Sequence, residues 1–152
     1  MIGAPTIIVN SLLDDGPGNC DTQCTLRDAV AIAQPSDTIQ FGNLSGTIVL
    51  TNHSPITISQ DLIIQGPGAG ILTIDFDNDG STYINQDGGN LTISGLTLTH
   101  APYNVVYLDS VSVASFTLNN SVVANNTEQP AIQAQNINSV TINNSTFYNN
   151  TS

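Results

Sequence analysis

The feature that most constrains the fold of this chain is a phrase repeated near its C-terminus. Residues 116–127 read F-T-L-N-N-S-V-V-A-N-N-T, and residues 140–151, offset by 24 positions (116 to 140), read V-T-I-N-N-S-T-F-Y-N-N-T. Looser copies begin at Leu91 and at Leu62. A repeat of about 20–50 residues indicates a solenoid, in which each repeat buries its apolar face against its neighbours. Because the copies hold short β-branched runs without helical spacing, we predict an all-β, right-handed parallel β-helix with three strands per coil and roughly five coils.

The repeated strands also predict which side chains face outward. In each of three copies a threonine stands between two apolar residues, so strand alternation stacks Thr92, Thr117 and Thr141 in one exterior column. The pairs Asn119/Asn120 and Asn143/Asn144 fall at the turn that follows. Asparagine tolerates a positive φ and can hydrogen-bond its side-chain amide to the coil above, so we expect these pairs to support stacked turns, with Asn120 and Asn144 as the structural positions.

The charge balance excludes several partners. The chain has one arginine and no lysine against twelve acidic residues, a formal net charge of −11. A phosphate backbone needs several cations to displace its counterions, so we expect no binding of nucleic acid. No stretch approaches the roughly 18 apolar residues that cross a bilayer, and we expect no membrane insertion of this segment.

An N-terminal cap over residues 1–36 is predicted to precede the coils of residues 37–152. Its cysteines, Cys20 and Cys24, are spaced neither like a redox motif nor like half of a zinc site, and we expect a local disulfide formed in an oxidising compartment. Thr25 and Asp28 form a capping box before an apolar helical pattern that Pro35 ends. Arg27, beside several carboxylates, is interpreted as a structural ion-pair partner, with a ligand clamp as the alternative.

The cap resembles a known family segment. Residues 24–30 read C-T-L-R-D-A-V, residues 36–41 read S-D-T-I-Q-F, and residues 46–50 read G-T-I-V-L. This order is similar to the CSLREA-type N-terminal segment of bacterial surface β-helix proteins, where C-S-L-R-E-A-I precedes G-D-T-I-x-F and G-T-I-x-L. The likeness covers roughly residues 6–75 and departs from the family at four positions: Thr25, Asp28, Val30 and Ser36. It implies a right-handed parallel β-helix in a secreted, surface-attached or adhesin-like protein, and implies an activity far less.

The resemblance also bears on localisation. We expect a secreted or cell-surface protein, although Met1-Ile-Gly-Ala-Pro lacks the basic start and apolar core of a signal peptide. We therefore interpret Met1 as a start codon placed on a mature domain whose natural precursor carries a signal.

One loop has the pattern of a calcium site. Asp75, Asp77 and Asp79 alternate before Gly80, as carboxylates do in calcium loops, although the position of the usual bidentate glutamate is Gln86. We predict a weak calcium site at the three aspartates, with a solvated loop as the alternative. A calorimetric titration that shows no heat of binding at millimolar calcium would remove the metal site.

Catalysis is the least favoured class. A lyase acting on uronic acids needs free cations, and the only arginine is assigned to the cap. A glycoside hydrolase needs paired carboxylates across a groove, but Asp75, Asp77 and Asp79 lie on one loop. Asp87 and Asp109 could lie near one face, although each is equally an ordinary acid at the end of a strand. Turnover that is lost on replacing Asp75 or Asp87 would overturn the non-catalytic prediction. His53 and His100 are interpreted as surface residues.

The sequence therefore predicts a non-catalytic extracellular module, structural or adhesive, that contacts surface carbohydrate or protein. The first alternative is the subunit of a self-assembling fibre, because the repeats run to Ser152 without a second cap and an uncovered coil end exposes unpaired backbone. Electron microscopy of the purified chain would show filaments in that case and isolated particles otherwise. The second alternative is a polysaccharide-active enzyme of the glycoside hydrolase type.

Overall fold

The computed structural model describes residues 4–109 and 114–152, so Met1 lies outside the described residues. One helix and fifteen strands are found in these two segments: β1 (Thr6–Ile8), α1 (Leu26–Ile32), β2 (Asp37–Gln40), β3 (Gly46–Val49), β4 (Ile56–Ile58), β5 (Leu62–Gln65), β6 (Leu72–Asp75), β7 (Ile84–Gln86), β8 (Leu91–Ser94), β9 (Thr97–Thr99), β10 (Val106–Asp109), β11 (Ser115–Asn119), β12 (Val122–Ala124), β13 (Ile132–Gln135), β14 (Ser139–Asn143) and β15 (Thr146–Tyr148). The helix is too short to cross a bilayer, and the described segments contain no membrane-spanning helix.

The strands form three parallel sheets that run along the axis of a solenoid. The first sheet has the order β1-β2-β5-β8-β11-β14, the second β3-β6-β9-β12-β15 and the third β4-β7-β10-β13. Each strand therefore pairs with the strand one coil away in the same sheet, and every described pairing is parallel. The predicted parallel β-helix with three strands per coil is confirmed. It makes about four turns, fewer than the predicted five.

The interior is a stack of apolar side chains in register. In the first sheet Leu91 pairs with Phe116 and Ile93 with Leu118, and all four are fully buried. The residue between them on each strand faces outward, so Thr92, Thr117 and Thr141 lie in the predicted exterior column. Because the strands of one sheet keep the same alternation, inward positions form continuous columns from coil to coil.

The turn after the first sheet explains the repeated asparagines. Asn120 and Asn144 have φ of 49° and 46°. They occupy the position that Gly95, with φ of 65°, occupies in an earlier coil. A side chain at Gly95 would crowd the carbonyl of Gly66, which lies in the coil before it. The predicted side-chain ladder between coils is present at this turn, since Asn143 Nδ2 donates a hydrogen bond to Asn119 Oδ1 at 2.9 Å.

The cap is organised around a buried carboxylate. Asp28 accepts hydrogen bonds from the backbone N–H of Gly18 at 2.6 Å and of Thr25 at 2.9 Å, while its own N–H donates to the Thr25 hydroxyl. The predicted capping box is thus present, and Cys20 and Cys24 form the predicted disulfide. Helix α1 packs against β4, the outermost strand of the third sheet, and so covers that side of the first coil.

Candidate functional site

The acidic loop between β6 and β7 holds the three aspartates of the predicted calcium motif. Asp75 ends β6, and its Oδ1 accepts a hydrogen bond from the N–H of Asp77 at 2.9 Å. Asp77 and Asn78 both adopt positive φ, 56° and 52°, which turns the chain sharply. The backbone therefore turns within the segment that carries the three carboxylates.

Two histidines from the neighbouring coils flank this loop. His53, from the coil before, places Nδ1 at 3.3 Å from Asp79 Oδ2, and His100, from the coil after, places Nδ1 at 2.9 Å from Asp75 Oδ2. Both rings keep contact with solvent, with 63% and 42% of their side-chain surface exposed. From the sequence both histidines were interpreted only as surface residues. Asp75 and His100 are 25 residues apart, close to the length of one coil, and this offset could have indicated that they are neighbours.

Asp79 is the loop carboxylate whose ionisation is altered. The Thr82 hydroxyl donates to Asp79 Oδ2 at 2.8 Å, and this bond is the main reason that the pKa of Asp79 lies below its ordinary value. Partial desolvation opposes the shift, while His53 reinforces it. A carboxylate held in this way stays charged at mildly acidic pH.

These contacts do not produce the predicted metal cluster. In residues 4–109 and 114–152 no group of three or more histidine, cysteine, aspartate or glutamate side chains is arranged to hold a metal ion. Asp75 is hydrogen-bonded to His100 and to a backbone N–H, and Asp79 to Thr82. Calcium binding at this loop stays a prediction.

An aromatic cleft that was not predicted from the sequence lies beside the acidic loop. Tyr83, just before β7, and Tyr107, on β10, meet edge to face with ring centroids 6.2 Å apart. Tyr103 lies beside them on Gly80, and together with Asn104 these residues line a cleft of about 210 Å³. The chain has four tyrosines and no tryptophan, so three of its four tyrosines gather at this point. In sequence they are separated, and only the coil spacing brings them together.

Arg27 is fully engaged within the cap. Its Nε donates to Asp14 Oδ1 at 2.6 Å, and its Nη2 donates to the carbonyl oxygen of Ser54 at 2.8 Å. Its Nη1 also donates to the carbonyl oxygen of Pro55 at 3.3 Å. The other oxygen of Asp14 accepts the N–H of Asn52, so one ion pair ties the segment before α1 to the loop before β4.

Comparison with known proteins supports the β-helix fold and does not identify an activity. No protein-family model matches the sequence, and no curated protein matches it either. Among solved structures, a mutant of the PL6 family alginate lyase AlyGC is similar to 95% of this chain, with a TM-score of 0.72 and 20% sequence identity. This chain spans 20% of the length of that enzyme. At this identity the likeness shows a shared β-helix fold and nothing finer.

Proposed function

We propose that this chain is a non-catalytic structural or adhesive β-solenoid module of a secreted or surface-exposed bacterial protein. Its partners are surface carbohydrate or surface protein, which contact the exterior of the coils. The disulfide between Cys20 and Cys24 is consistent with an extracellular location, and the CSLREA-type resemblance of the cap supports a surface protein.

The observation that carries this proposal is the position of Arg27. It is the one lysine or arginine of the chain, and its guanidinium is bonded to Asp14, Ser54 and Pro55 with 14% of its side-chain surface exposed. Polysaccharide cleavage next to a carboxylate group needs positive charge that neutralises the substrate and stabilises the anion formed in the reaction. Within this chain the only permanent cation is already used to hold the cap.

A glycan-cleaving enzyme is the second candidate, and one contact favours it. His100 is half exposed and its Nδ1 lies 2.9 Å from Asp75 Oδ2, an arrangement in which a carboxylate orients an imidazole for proton transfer. The fold shared with an alginate lyase agrees with this candidate, although that likeness concerns the fold alone. Asp87, another carboxylate named from the sequence, is exposed and follows the end of β7, whereas the acidic loop precedes β7.

A turnover assay separates the two candidates. The purified chain would be incubated with a panel of neutral and uronate polysaccharides, and both new reducing ends and unsaturated products would be measured. We expect no release above the level of the His100→Ala variant, and for the uronate polysaccharides the reason is that no substrate carboxylate would find a free lysine or arginine. Turnover by the wild-type chain that disappears in His100→Ala and Asp75→Asn, but persists in the matched variant Asp61→Asn, would overturn the non-catalytic proposal.

A further inference from the structure

The aromatic cleft has the shape and lining of a small binding site. The ring of Tyr103 lies directly on Gly80, where a Cβ atom would overlap the ring carbons, so a glycine is needed for the ring to lie there. Tyr83 and Tyr107 form one wall with their planes at 80° to each other. Three rings from two successive coils thus surround one concave surface that no other described part of the chain covers.

The lining combines apolar ring surface with polar groups at the edge. Tyr103 is 48% exposed, and Tyr83 and Tyr107 are half-buried. The hydroxyl of Tyr107 donates to Asp109 Oδ2 at 3.3 Å, which leaves that carboxylate at the rim with further capacity to accept hydrogen bonds. Tyrosine supplies an apolar body with a polar tip, which suits a ligand that is itself apolar on one face and hydroxylated at its edge.

The size of the cleft restricts the ligand further. A site that encloses a drug-sized molecule has about 300–1,000 Å³, and this cleft of about 210 Å³ is smaller. It therefore has room for a single ring of a longer molecule, with the rest of that molecule lying along the exterior of the sheet. A pyranose ring of a polysaccharide has the required form, since its axial C–H groups make an apolar face and its hydroxyls point outward.

Charge decides between neutral and acidic sugars. The chain carries a net charge of −11, and the acidic loop with Asp79 adjoins Gly80 at the floor of the cleft, while Asp109 stands at its rim. A uronate would be repelled by these carboxylates, whereas sugar hydroxyls donate hydrogen bonds to them.

We propose that the cleft formed by Tyr83, Tyr103 and Tyr107 binds one pyranose ring of a neutral polysaccharide. This inference rests on the proposed function, since it names the class of carbohydrate that the module contacts and the place where it binds. It also gives a reason why three of the four tyrosines of the chain are concentrated here.

Tyrosine fluorescence gives a direct readout of this site. The chain has no tryptophan, so its intrinsic emission comes from four tyrosines, three of which line the cleft. Neutral oligosaccharides of glucose and of mannose would be titrated into the wild-type chain, with a uronate oligosaccharide as the acidic counterpart. We expect a saturable change with at least one neutral oligosaccharide and none with the uronate.

Two variants locate the binding. Tyr103→Ala removes a ring that is already 48% exposed and should leave the fold intact, and Tyr148→Ala removes a ring of equal exposure at the C-terminal coil. We expect Tyr103→Ala to weaken binding about tenfold, the loss that corresponds to removing one aromatic contact of about 1.4 kcal/mol. Tyr103→Phe should keep most of the affinity, and Tyr148→Ala should change it less than about twofold.

The outcomes distinguish this inference from the proposed function. Equal affinity of wild type and Tyr103→Ala for a neutral glycan would show that the cleft is not the binding site, while the proposal of a carbohydrate-contacting module would stand. Binding of the uronate alone, or of no oligosaccharide, would also overturn the assignment of the cleft to neutral sugar. The proposed function fails separately, through turnover in the polysaccharide assay.

Discussion

Strands β8 and β14 carry almost the same residues at the same register, yet one is buried and the other is not. Ile93 of β8 and Ile142 of β14 both pair with Leu118 of the strand between them. Ile93 is 0% exposed, whereas Ile142 is 46% exposed. The difference lies entirely in the neighbours, because β8 has a strand on each side and β14 has a described strand on one side.

The N-terminal end of the solenoid is covered differently from strands β8 and β14. There α1 packs on β4, and the cap ties itself to the first coil through Arg27, whose Nη2 donates to Ser54 O at 2.8 Å. At the other end Val140, Phe147 and Tyr148 remain between 40% and 48% exposed. In a solenoid each coil supplies half of its neighbour's core, so stability depends on what covers a coil as much as on its own sequence. A second copy that stacked on the N-terminal end would meet α1 beside β4, and assembly into a fibre remains a proposal.

The largest expected difference in stability is between two matched truncations of apolar side chains. Ile93→Ala should lower the free energy of unfolding by about 2–5 kcal/mol, because it leaves a cavity between two coils. Ile142→Ala removes the same atoms where solvent already reaches, and should cost about 1 kcal/mol or less. Urea denaturation followed by circular dichroism would measure both. Equal losses would show that the last coil is as well covered as the central one.

A smaller effect should come from the cap. Asp28→Asn places an amide NH₂ group against donors, including the N–H groups of Gly18 and Thr25, and should destabilise the chain by about 1–3 kcal/mol. Asp21→Asn makes the same change on an exposed carboxylate, and should stay within about 0.5 kcal/mol. A loss as small for Asp28→Asn as for its control would mean that the cap does not hold the first coil.

The contribution of Asp28 should also depend on pH. Burial would raise the pKa of this carboxyl, but hydrogen bonds from Thr25 and Gly18 prevail and hold the pKa below its ordinary value. Stabilisation by a carboxylate with a depressed folded-state pKa is present above the unfolded value of about 3.9 and is lost as the pH falls through the folded value. Melting temperatures at pH 7 and pH 3 should therefore show a smaller difference between wild type and Asp28→Asn at pH 3. A difference that grows on acidification would contradict this assignment.

The smallest effects should distinguish two asparagine contacts near the C-terminal coil. Asn126 is fully buried, accepts the N–H of Ala101 at 2.8 Å and donates to Asn150 Oδ1 at 2.9 Å. Asn126→Ala should cost about 1–2 kcal/mol because it leaves a buried N–H unpaired. Asn143→Ala breaks only the exposed contact with Asn119, and should cost less than about 0.5 kcal/mol. Thermal denaturation of both variants would check this order, and the reverse order would show that exterior contacts join the coils.

Much of the fold could be predicted because the determining interactions recur at a fixed spacing. The pattern of Phe116 and Leu118 returning at Val140 and Ile142 implies stacked strands, and the capping box around Thr25 lies within four consecutive residues. The paired asparagines could be predicted from the same repeat. Asn120 and Asn144 adopt the positive φ of the turn, and Asn143 donates a side-chain hydrogen bond to Asn119 in the coil before it.

The candidate sites could not be predicted in the same way. Three aspartates at alternate positions resemble a metal loop, and in the structure Asp75 and Asp79 contact the histidines of the neighbouring coils, which the loop sequence alone does not indicate. Tyr83 and Tyr107 lie one repeat length apart in the sequence, but neither belongs to the repeated phrase, and their rings meet because β7 and β10 are adjacent strands.

The sequence by itself determined the repeat length, the alternation of inward and outward residues, the acidity and the capped N-terminal helix. These depend on residues that are close in the chain or equally spaced along it. Only the tertiary structure decided which histidine meets which aspartate, where three tyrosines form a cleft and which apolar residues remain exposed. Those outcomes depend on the length and path of each turn between strands, because a shift of one residue in a coil moves every side chain relative to the coil beside it.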